Sequence, residues 1–218
     1  MKKIYTINGS PRKNKNTATL LQKALDGAKA ELGDTVQTEI IHLYDLKYTG
    51  CKSCFACKKI GGKSYGSCAV KDDLHEVLAK LSSADAVILG SPIYFGSITG
   101  QMQSLLERLL FPYLVYDKNY SSISPKKMPM AIIYTMNVDE DKMKLVGYPA
   151  TFDRIESYLG KIFTKPLVMQ ANDTYQFDDY SKYKVECFSE EEKAKQRETQ
   201  FPLDCQKAFE IGQNLVRK

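Results

Sequence analysis

Four of the six cysteines in this 218-residue chain are clustered, in the spacing Cys51-x2-Cys54-x2-Cys57-x10-Cys68. Four thiolates are the ligand set of a [4Fe–4S] cluster and also of tetrahedral zinc. In a reducing compartment such clustering indicates a metal or redox site more than a disulfide framework. Three interpretations stay open at this stage: an iron–sulfur cluster, a redox-active thiol cluster without iron, and a structural zinc site.

A second group of polar residues follows the first apolar segment. Residues 8–11 (Asn-Gly-Ser-Pro) are turn formers, and the segment after them leads directly into apolar residues with helical spacing. Backbone N–H groups at a helix start lack partners within the helix, and the helix dipole favours an anion there. Side chains that could add donors for a terminal phosphate lie at Ser10, Arg12, Lys13, Asn14, Lys15, Asn16 and Thr17. The segment has neither GxGxxG nor GK[ST], so it predicts an anion site of another kind.

A third group, residues 90–96 (Gly-Ser-Pro-Ile-Tyr-Phe-Gly), follows an apolar strand pattern. A flat aromatic ligand needs an apolar or aromatic wall and backbone amides at its polar edge. Tyr94 and Phe95 are candidates for that wall, and Gly96 allows close approach of the backbone. Ordinary packing of both rings against the following helix is the alternative.

The elements that must position these groups alternate between strand and helix. Apolar patterns predict strands at 2–7, 36–43, 84–89, 129–135 and 166–171, with helical spacing at 17–32, 72–81, 102–110 and 150–163, and two more helices from 189 and 202. This alternation implies an α/β fold with a doubly wound parallel sheet and right-handed crossovers. Ligands bind such sheets beyond the carboxyl ends of the strands.

The segment 7–17, Ile-Asn-Gly-Ser-Pro-Arg-Lys-x-x-Asn-Thr, resembles the FMN phosphate loop of the NADPH-dependent FMN reductase family, within the flavodoxin-like superfamily. The segment 90–100 resembles that family's second flavin loop, and the resemblance covers roughly residues 1–170. It implies one flavodoxin-like FMN-binding domain over 1–218, with a five-stranded parallel sheet in the order 2-1-3-4-5 and helices on both faces. Within that domain, we expect a Cys-rich loop insertion at 50–68 and a C-terminal helical extension at 172–218.

The resemblance also implies which residues contact FMN. The phosphate would rest on Ser10, Arg12, Asn16 and Thr17, and the isoalloxazine along Pro92, Ile93, Tyr94, Phe95 and Gly96. A third loop adds Thr135, Met136 and Asn137, although the glycine that relatives often have in this turn is missing until Gly147.

The cysteine segment resembles the compact motif of iron–sulfur flavoproteins, with a longer last gap. That resemblance implies a possible [4Fe–4S] cluster with four ligands, Cys51, Cys54, Cys57 and Cys68.

The function implied is an FMN-dependent oxidoreductase. It would take hydride from NAD(P)H and pass electrons to a small acceptor (a quinone, a flavin or a nitro compound) or to the cluster. No catalytic side chain is assigned, because the flavin carries the chemistry. The alternatives are a non-enzymatic flavodoxin-like electron carrier and a binding module without FMN. The net charge of +5 is unfavourable for the carrier, because such carriers are usually strongly acidic.

The distribution of charged and apolar residues limits the classes of binding partner that we expect. The 31 basic residues are scattered rather than concentrated on one predicted face, so we expect no nucleic acid. No apolar run approaches the ~20 residues of a membrane span, and residues 4–7 are too short for a signal-peptide core. We therefore expect a cytoplasmic protein without membrane contact. The family resemblance implies a homodimer or higher homo-oligomer, in which the segment 111–127, aromatic over 111–116, is either a contact or a cap on its own domain.

Overall fold

The computed structural model describes residues 1–217, apart from the side chain of Thr35. Within this range the strands are β1 (Lys2–Asn8), β2 (Val36–His42), β3 (Ala86–Tyr94), β4 (Ser97–Ile98), β5 (Met130–Thr135) and β6 (Leu167–Ala171). The α-helices are α1 (Asn16–Leu32), α2 (Asp73–Ser83), α3 (Gly100–Leu110), α4 (Glu140–Leu145), α5 (Tyr148–Ile162), α6 (Glu190–Thr199) and α7 (Phe201–Arg217).

The long strands form one parallel sheet in the order β2-β1-β3-β5-β6. Leaving out the two-residue strand β4, this is the predicted flavodoxin-like order, which is therefore confirmed. In the central pair Ile4 lies opposite Ala86 and Asn8 opposite Gly90, so β1 and the middle of β3 reach the same edge of the sheet. The middle strands are buried on both faces, as their continuous apolar runs require.

Helices cover both faces of the sheet. Buried side chains of α2, α3 and α5 form one core, and those of α1 and α7 form the other. The helices α1 and α7 touch closely, since a Cβ on Gly27 would overlap the carbonyl oxygen of Phe209, and one on Gly212 that of Ala24. Segment 172–217 thus supplies half of the cover on one face.

Two segments differ from the sequence-based expectation. The predicted strand at 84–89 was too short, because β3 continues to Tyr94 and places Pro92 in its ladder with β5, opposite Thr135. Its last two residues, Ile93 and Tyr94, form a hairpin with β4. In the 138–149 stretch, the chain forms the short helix α4, capped by the Asp139 carboxylate, which accepts a hydrogen bond from the Lys142 N–H.

Candidate flavin site and cysteine segment

The loops that follow β1, β3 and β5 contact one another at the carboxyl edge of the sheet. The Gly9 N–H donates to the Gly90 carbonyl (2.8 Å), and the Thr99 hydroxyl donates to the Gly9 carbonyl (2.8 Å). The hydroxyls of Thr17 and Thr135 are hydrogen-bonded at 2.7 Å. The predicted site residues from three separate parts of the chain therefore lie together, where a doubly wound sheet binds its ligands.

The loop after β1 leads into a helix whose first backbone N–H groups are free among the described residues. Ser10 and Thr17 are buried, and the Arg12 N–H donates to the Ser10 hydroxyl (3.1 Å). The helix α1 begins at Asn16 without a side-chain cap. Among residues 1–217, no acceptor is hydrogen-bonded to the backbone N–H of Asn16, Thr17 or Ala18. Three aligned N–H donors at the positive end of a helix can bind a phosphate dianion.

The side chains of two predicted phosphate ligands contact a distant segment, 175–178, which we call the strap. Arg12 Nη1 donates to the Gln176 carbonyl (2.6 Å), and Asn16 Nδ2 donates to the Tyr175 carbonyl (2.9 Å). Lys15 forms an ion pair with Asp178. Sequence reasoning missed the strap; the one available signal was the aromatic content of 175–188, whose rings pack on one another.

The hairpin turn after β3 presents an unprotected aromatic ring. Phe95 has a relative exposure of 108% and a φ of 50°, and Gly96 follows with a φ of 79°. The left-handed region is uncommon for a residue other than glycine, and such residues concentrate at functional sites. A Cβ on Gly96 would lie 3.1 Å from the Tyr148 ring, so α5 closes one side of the turn. Ordinary packing on the next helix is thus wrong for Phe95.

Tyr94 lies between the turn and the loop after β1. Its ring is 45% exposed. Burial raises the pKa of Tyr94, while the positive charge of Arg12 opposes that rise. The phenol is therefore neutral at physiological pH and able to donate a hydrogen bond.

The loop after β5 is fixed from the C-terminal side of the chain. The Met136 N–H donates to the Ala171 carbonyl (3.0 Å), and Lys193 donates to the Asn137 carbonyl while it pairs with Asp173. Thr135 is buried. Within the described residues, the buried Oδ1 of Asn137 has no hydrogen-bond partner. Buried polar atoms are nearly always paired, so this oxygen is an acceptor available to a ligand.

The four clustered cysteines line one small cavity of about 20 Å³. Cys57 is buried, Cys68 is partly buried, and Cys51 and Cys54 are exposed. Burial raises the pKa of the Cys57 thiol, and the neighbouring Lys58 opposes this rise. In residues 1–217, no three Cys, His, Asp or Glu side chains converge closely enough to hold a metal ion. Four cysteine thiols are ligands that suit a thiophilic metal or an iron–sulfur cluster. In this structure, however, the four sulfur atoms do not converge on one centre.

The C-terminal half of α3 fastens this cysteine segment to the domain. Glu107 Oε2 accepts a hydrogen bond from the Cys51 N–H (3.0 Å). Lys58 donates to the carbonyls of Phe111 and Leu114, and its Nζ lies 4.3 Å from the centre of the Phe111 ring. The cysteine segment is therefore a loop held in place by side-chain contacts. It lies near the C-terminal end of α3, whereas the hairpin turn at Phe95 and Gly96 precedes the N-terminal end of that helix.

None of the helices in residues 1–217 combines the length and the apolar composition that crossing a membrane requires.

A family model for NADPH-dependent FMN reductase matches residues 2–137. An iron–sulfur flavoprotein of Archaeoglobus fulgidus is 43% identical over 106 residues, which are 49% of this chain and 48% of the relative. One from Methanocaldococcus jannaschii is 42% identical over 106 residues, 49% of this chain and 51% of that protein. The chain spans about half the length of these curated relatives.

Solved structures agree on the fold. An NAD(P)H:quinone oxidoreductase from Methanothermobacter marburgensis superposes with a TM-score of 0.69 at 12% identity, covering 98% of both chains. An azoreductase from Bacillus anthracis gives a TM-score of 0.67 at 14% identity, covering 98% of this chain and 100% of that one. The family model spans more than half of the chain, and its two signature loops meet at the carboxyl edge of a flavodoxin-like sheet. The chain belongs to the NADPH-dependent FMN reductase family.

Proposed function

We propose that this chain binds FMN at the carboxyl edge of the sheet and acts as an NAD(P)H-dependent oxidoreductase. The observation that carries the proposal is the free helix start of α1, where the N–H groups of Asn16, Thr17 and Ala18 are unpartnered within residues 1–217 and the same loop contributes the buried residues Ser10 and Thr17. FMN, when bound, accepts hydride from the nicotinamide and releases electrons to an acceptor.

Different residues of the site suit different parts of FMN. The α1 N–H groups and the hydroxyls of Ser10 and Thr17 suit the phosphate. The strand end and turn at 92–96 suit the isoalloxazine, because they combine an apolar wall with an exposed aromatic ring. The free acceptor Asn137 Oδ1 suits a donor on the polar edge of the ring system. Arg12 and Asn16 act near the phosphate while fastening the strap beside it.

The electron acceptor is a small molecule (a quinone, a flavin or a nitro compound) or a metal centre at the four cysteines. Electron transfer to a metal centre is favoured by two features: the four cysteines share one cavity, and α3 runs from near the turn at 95–96 to that cavity. The relatives described as iron–sulfur flavoproteins are consistent with it. We also propose that the protein works as a homodimer or higher homo-oligomer, as the family resemblance implies.

Phosphate recognition is tested by comparing FMN with riboflavin, which lacks the phosphate. We expect the Ser10→Ala, Thr17→Val double variant to weaken FMN binding by about 1–3 kcal/mol for each donor removed. Riboflavin affinity should stay unchanged, since the ring contacts remain. Flavin fluorescence titration measures both. Thr19→Val is the matched control, because its hydroxyl lies on the same helix and bonds only the Lys15 carbonyl. Equal losses for both flavins would contradict the phosphate assignment.

Turnover separates the enzyme from an electron carrier. The purified holoprotein should oxidise NADH or NADPH with a soluble quinone and no added protein, and two half-reactions at one site should give parallel-line, ping-pong kinetics. A carrier would bind FMN with the same affinity but oxidise no nicotinamide until a reductase was added.

A further inference from the structure

One fully buried arginine joins the two ends of the cysteine segment. Arg108, on α3, is 2% exposed. Its Nη1 donates to the Thr49 carbonyl (3.1 Å) and Asp72 Oδ2 (2.6 Å), and its Nη2 donates to the Val70 carbonyl (3.2 Å) and Asp72 Oδ1 (2.8 Å). Thr49 precedes the first cysteine of the cluster and Val70 follows the last. The guanidinium therefore brings the start and the end of the segment together.

The remaining N–H of this guanidinium points at a thiol. Arg108 Nε donates to Cys68 Sγ at 3.3 Å, so all five N–H donors of the group are used. The Asp72 carboxylate balances the charge, and the hydrogen bond from Arg108 is the largest cause that lowers the pKa of Asp72. Because the donor fork is planar and rigid, the two bonds to Asp72 fix the direction of Nε. The position of the Cys68 sulfur follows from that direction.

We propose that Arg108 is the positioning residue of a four-thiol site for a thiophilic cation or cluster, and that it holds Cys68 on the cavity wall by a hydrogen bond to sulfur. This inference rests on the proposed metal centre at the four cysteines. Outer hydrogen bonds of this kind orient metal ligands and tune the centre they hold. No motif pairs the two residues, which lie 40 positions apart.

The four thiols divide into a fixed pair and an approaching pair. Cys57 is buried beside the anchored Lys58, and Cys68 is held by Arg108. Cys51 and Cys54 are exposed, and one of the two residues between them, Ser53, has a left-handed φ of 51°. Loading the site requires the exposed pair to close on the fixed pair. Because Cys57 and Cys68 are held on the wall of one cavity, loss of the Cys68 anchor should weaken capture of the ion.

The test uses the full chain, reduced and handled without oxygen, with Cd²⁺ as the probe. Cysteine alkylation followed by mass spectrometry reports which thiols the bound ion protects, and the exposed Cys187 is an internal control that should always react. In the unaltered protein, we expect all four clustered thiols to be protected. In Arg108→Lys, which cannot supply the fork and the sulfur bond together, Cys68 should become reactive while the other three stay protected.

Affinity gives the second readout. Arg108→Lys should weaken Cd²⁺ binding by about 10–100-fold, the usual cost of losing an outer-shell partner of a metal ligand. FMN affinity, which reports the opposite end of α3, should not change. Arg154→Lys is the matched control, since Arg154 is exposed on α5. Cys68→Ser should reproduce the loss of affinity, and combining it with Arg108→Lys should add nothing, because both act through the same sulfur.

The outcomes are separable. Wild-type protection of Cys68 and wild-type Cd²⁺ affinity in Arg108→Lys would overturn the role of Arg108. Equal reactivity of all four thiols in that variant, with FMN still bound, would also overturn it, because a purely structural role predicts uniform exposure. Failure of the unaltered protein to bind Cd²⁺ would instead remove the metal centre itself. If Arg108→Lys does not fold, Asp72→Asn is the second variant: it weakens the two bonds that fix the guanidinium but leaves Arg108 itself in place, so unchanged protection of Cys68 there counts against the proposal.

Discussion

The two ends of α3 hold their neighbouring loops by different means. At the N-terminal end, the Thr99 hydroxyl caps the Met102 N–H (3.3 Å) and donates to the Gly9 carbonyl, while the Thr99 N–H donates to the Ser91 hydroxyl (3.0 Å). At the C-terminal end, long charged side chains (Glu107, Arg108 and, from the loop itself, Lys58) reach across to the cysteine segment.

The contrast between the two ends of α3 indicates which loop conformation is less sensitive to the loss of a single side chain. The flavin end follows from the sheet edge, where parallel strands deliver their loops to one place and short polar side chains complete the backbone bonding. The cysteine end has no regular element beyond a single 3₁₀ turn at Ala56–Lys58, so its shape depends on a few charged groups. Removing one such group should therefore matter more at the cysteine end than at the flavin end.

Replacing Arg108 should have the largest effect. Arg108→Met leaves Asp72 without its partner and two carbonyls without donors. We expect the free energy of unfolding to fall by about 3–5 kcal/mol, the usual cost of breaking a buried ion pair. Urea denaturation measures it. Arg154→Met, on the exposed side of α5, should stay within about 0.5 kcal/mol of the unaltered protein. A small loss for Arg108→Met would show that the cysteine segment does not depend on this contact.

Thr99→Val should have an intermediate effect at the other end of the helix. The change removes a helix cap and leaves the buried Gly9 carbonyl without a donor, so we expect a loss of about 1–3 kcal/mol. Calorimetry or urea denaturation checks the value. Thr199→Val is the control, because Thr199 is exposed near the end of α6. A loss larger than that of Arg108→Met would reverse the contrast between the two ends.

Acidification should remove one stabilising contribution at the cysteine end. The hydrogen bond from Arg108 lowers the pKa of Asp72 in the folded state. A lowered pKa stabilises the fold above the ordinary Asp value of about 4, and this contribution is lost as pH falls through the folded-state value. The difference in unfolding free energy between the unaltered protein and Asp72→Asn should therefore be constant near neutral pH and shrink below about pH 4. A difference independent of pH would contradict the pairing.

The smallest expected effect on stability concerns two phenylalanines, Phe55 and Phe95, which both have a left-handed φ. Phe55, in the cysteine segment, has a φ of 55° and packs edge-on against Phe111 with ring centres 6.1 Å apart, whereas Phe95 is fully exposed. Asn tolerates the left-handed region, so Phe95→Asn should raise stability by up to about 1 kcal/mol. Phe55→Asn should show no gain, because it also loses the ring contact.

Flavin affinity gives a second comparison of Phe95 with Phe55. We expect Phe95→Asn to weaken binding of both FMN and riboflavin, since it removes part of the ring wall, and Phe55→Asn to leave both affinities unchanged. Flavin fluorescence titration measures the four affinities. If Phe55→Asn weakened flavin binding as much as Phe95→Asn, the two loops could not be treated as separate sites.

Sequence reasoning succeeded where the governing interactions are local. The five long strands and the helix expected from Thr17, one residue after its observed start at Asn16, were predicted from runs of fewer than about twenty residues, whereas the strand order followed from the family resemblance. It failed at the end of β3, because ladder pairing with β5 and the hairpin with β4 carry the strand through Pro92 to Tyr94. Pairing across a sheet is not visible in the apolar pattern of one strand.

The sequence by itself determined the layered fold and the order of its loops, because apolar periodicity and turn chemistry act between near neighbours. Only the tertiary structure decided what those loops contact. Arg12 bonds a carbonyl 164 positions away, Arg197 donates to Asn16 across 181 positions, and Arg108 reaches Cys68 across 40. Such partners are determined by where the folded helices and loops place long side chains. A charged residue in a helical pattern looks the same whether it faces solvent or a buried thiol.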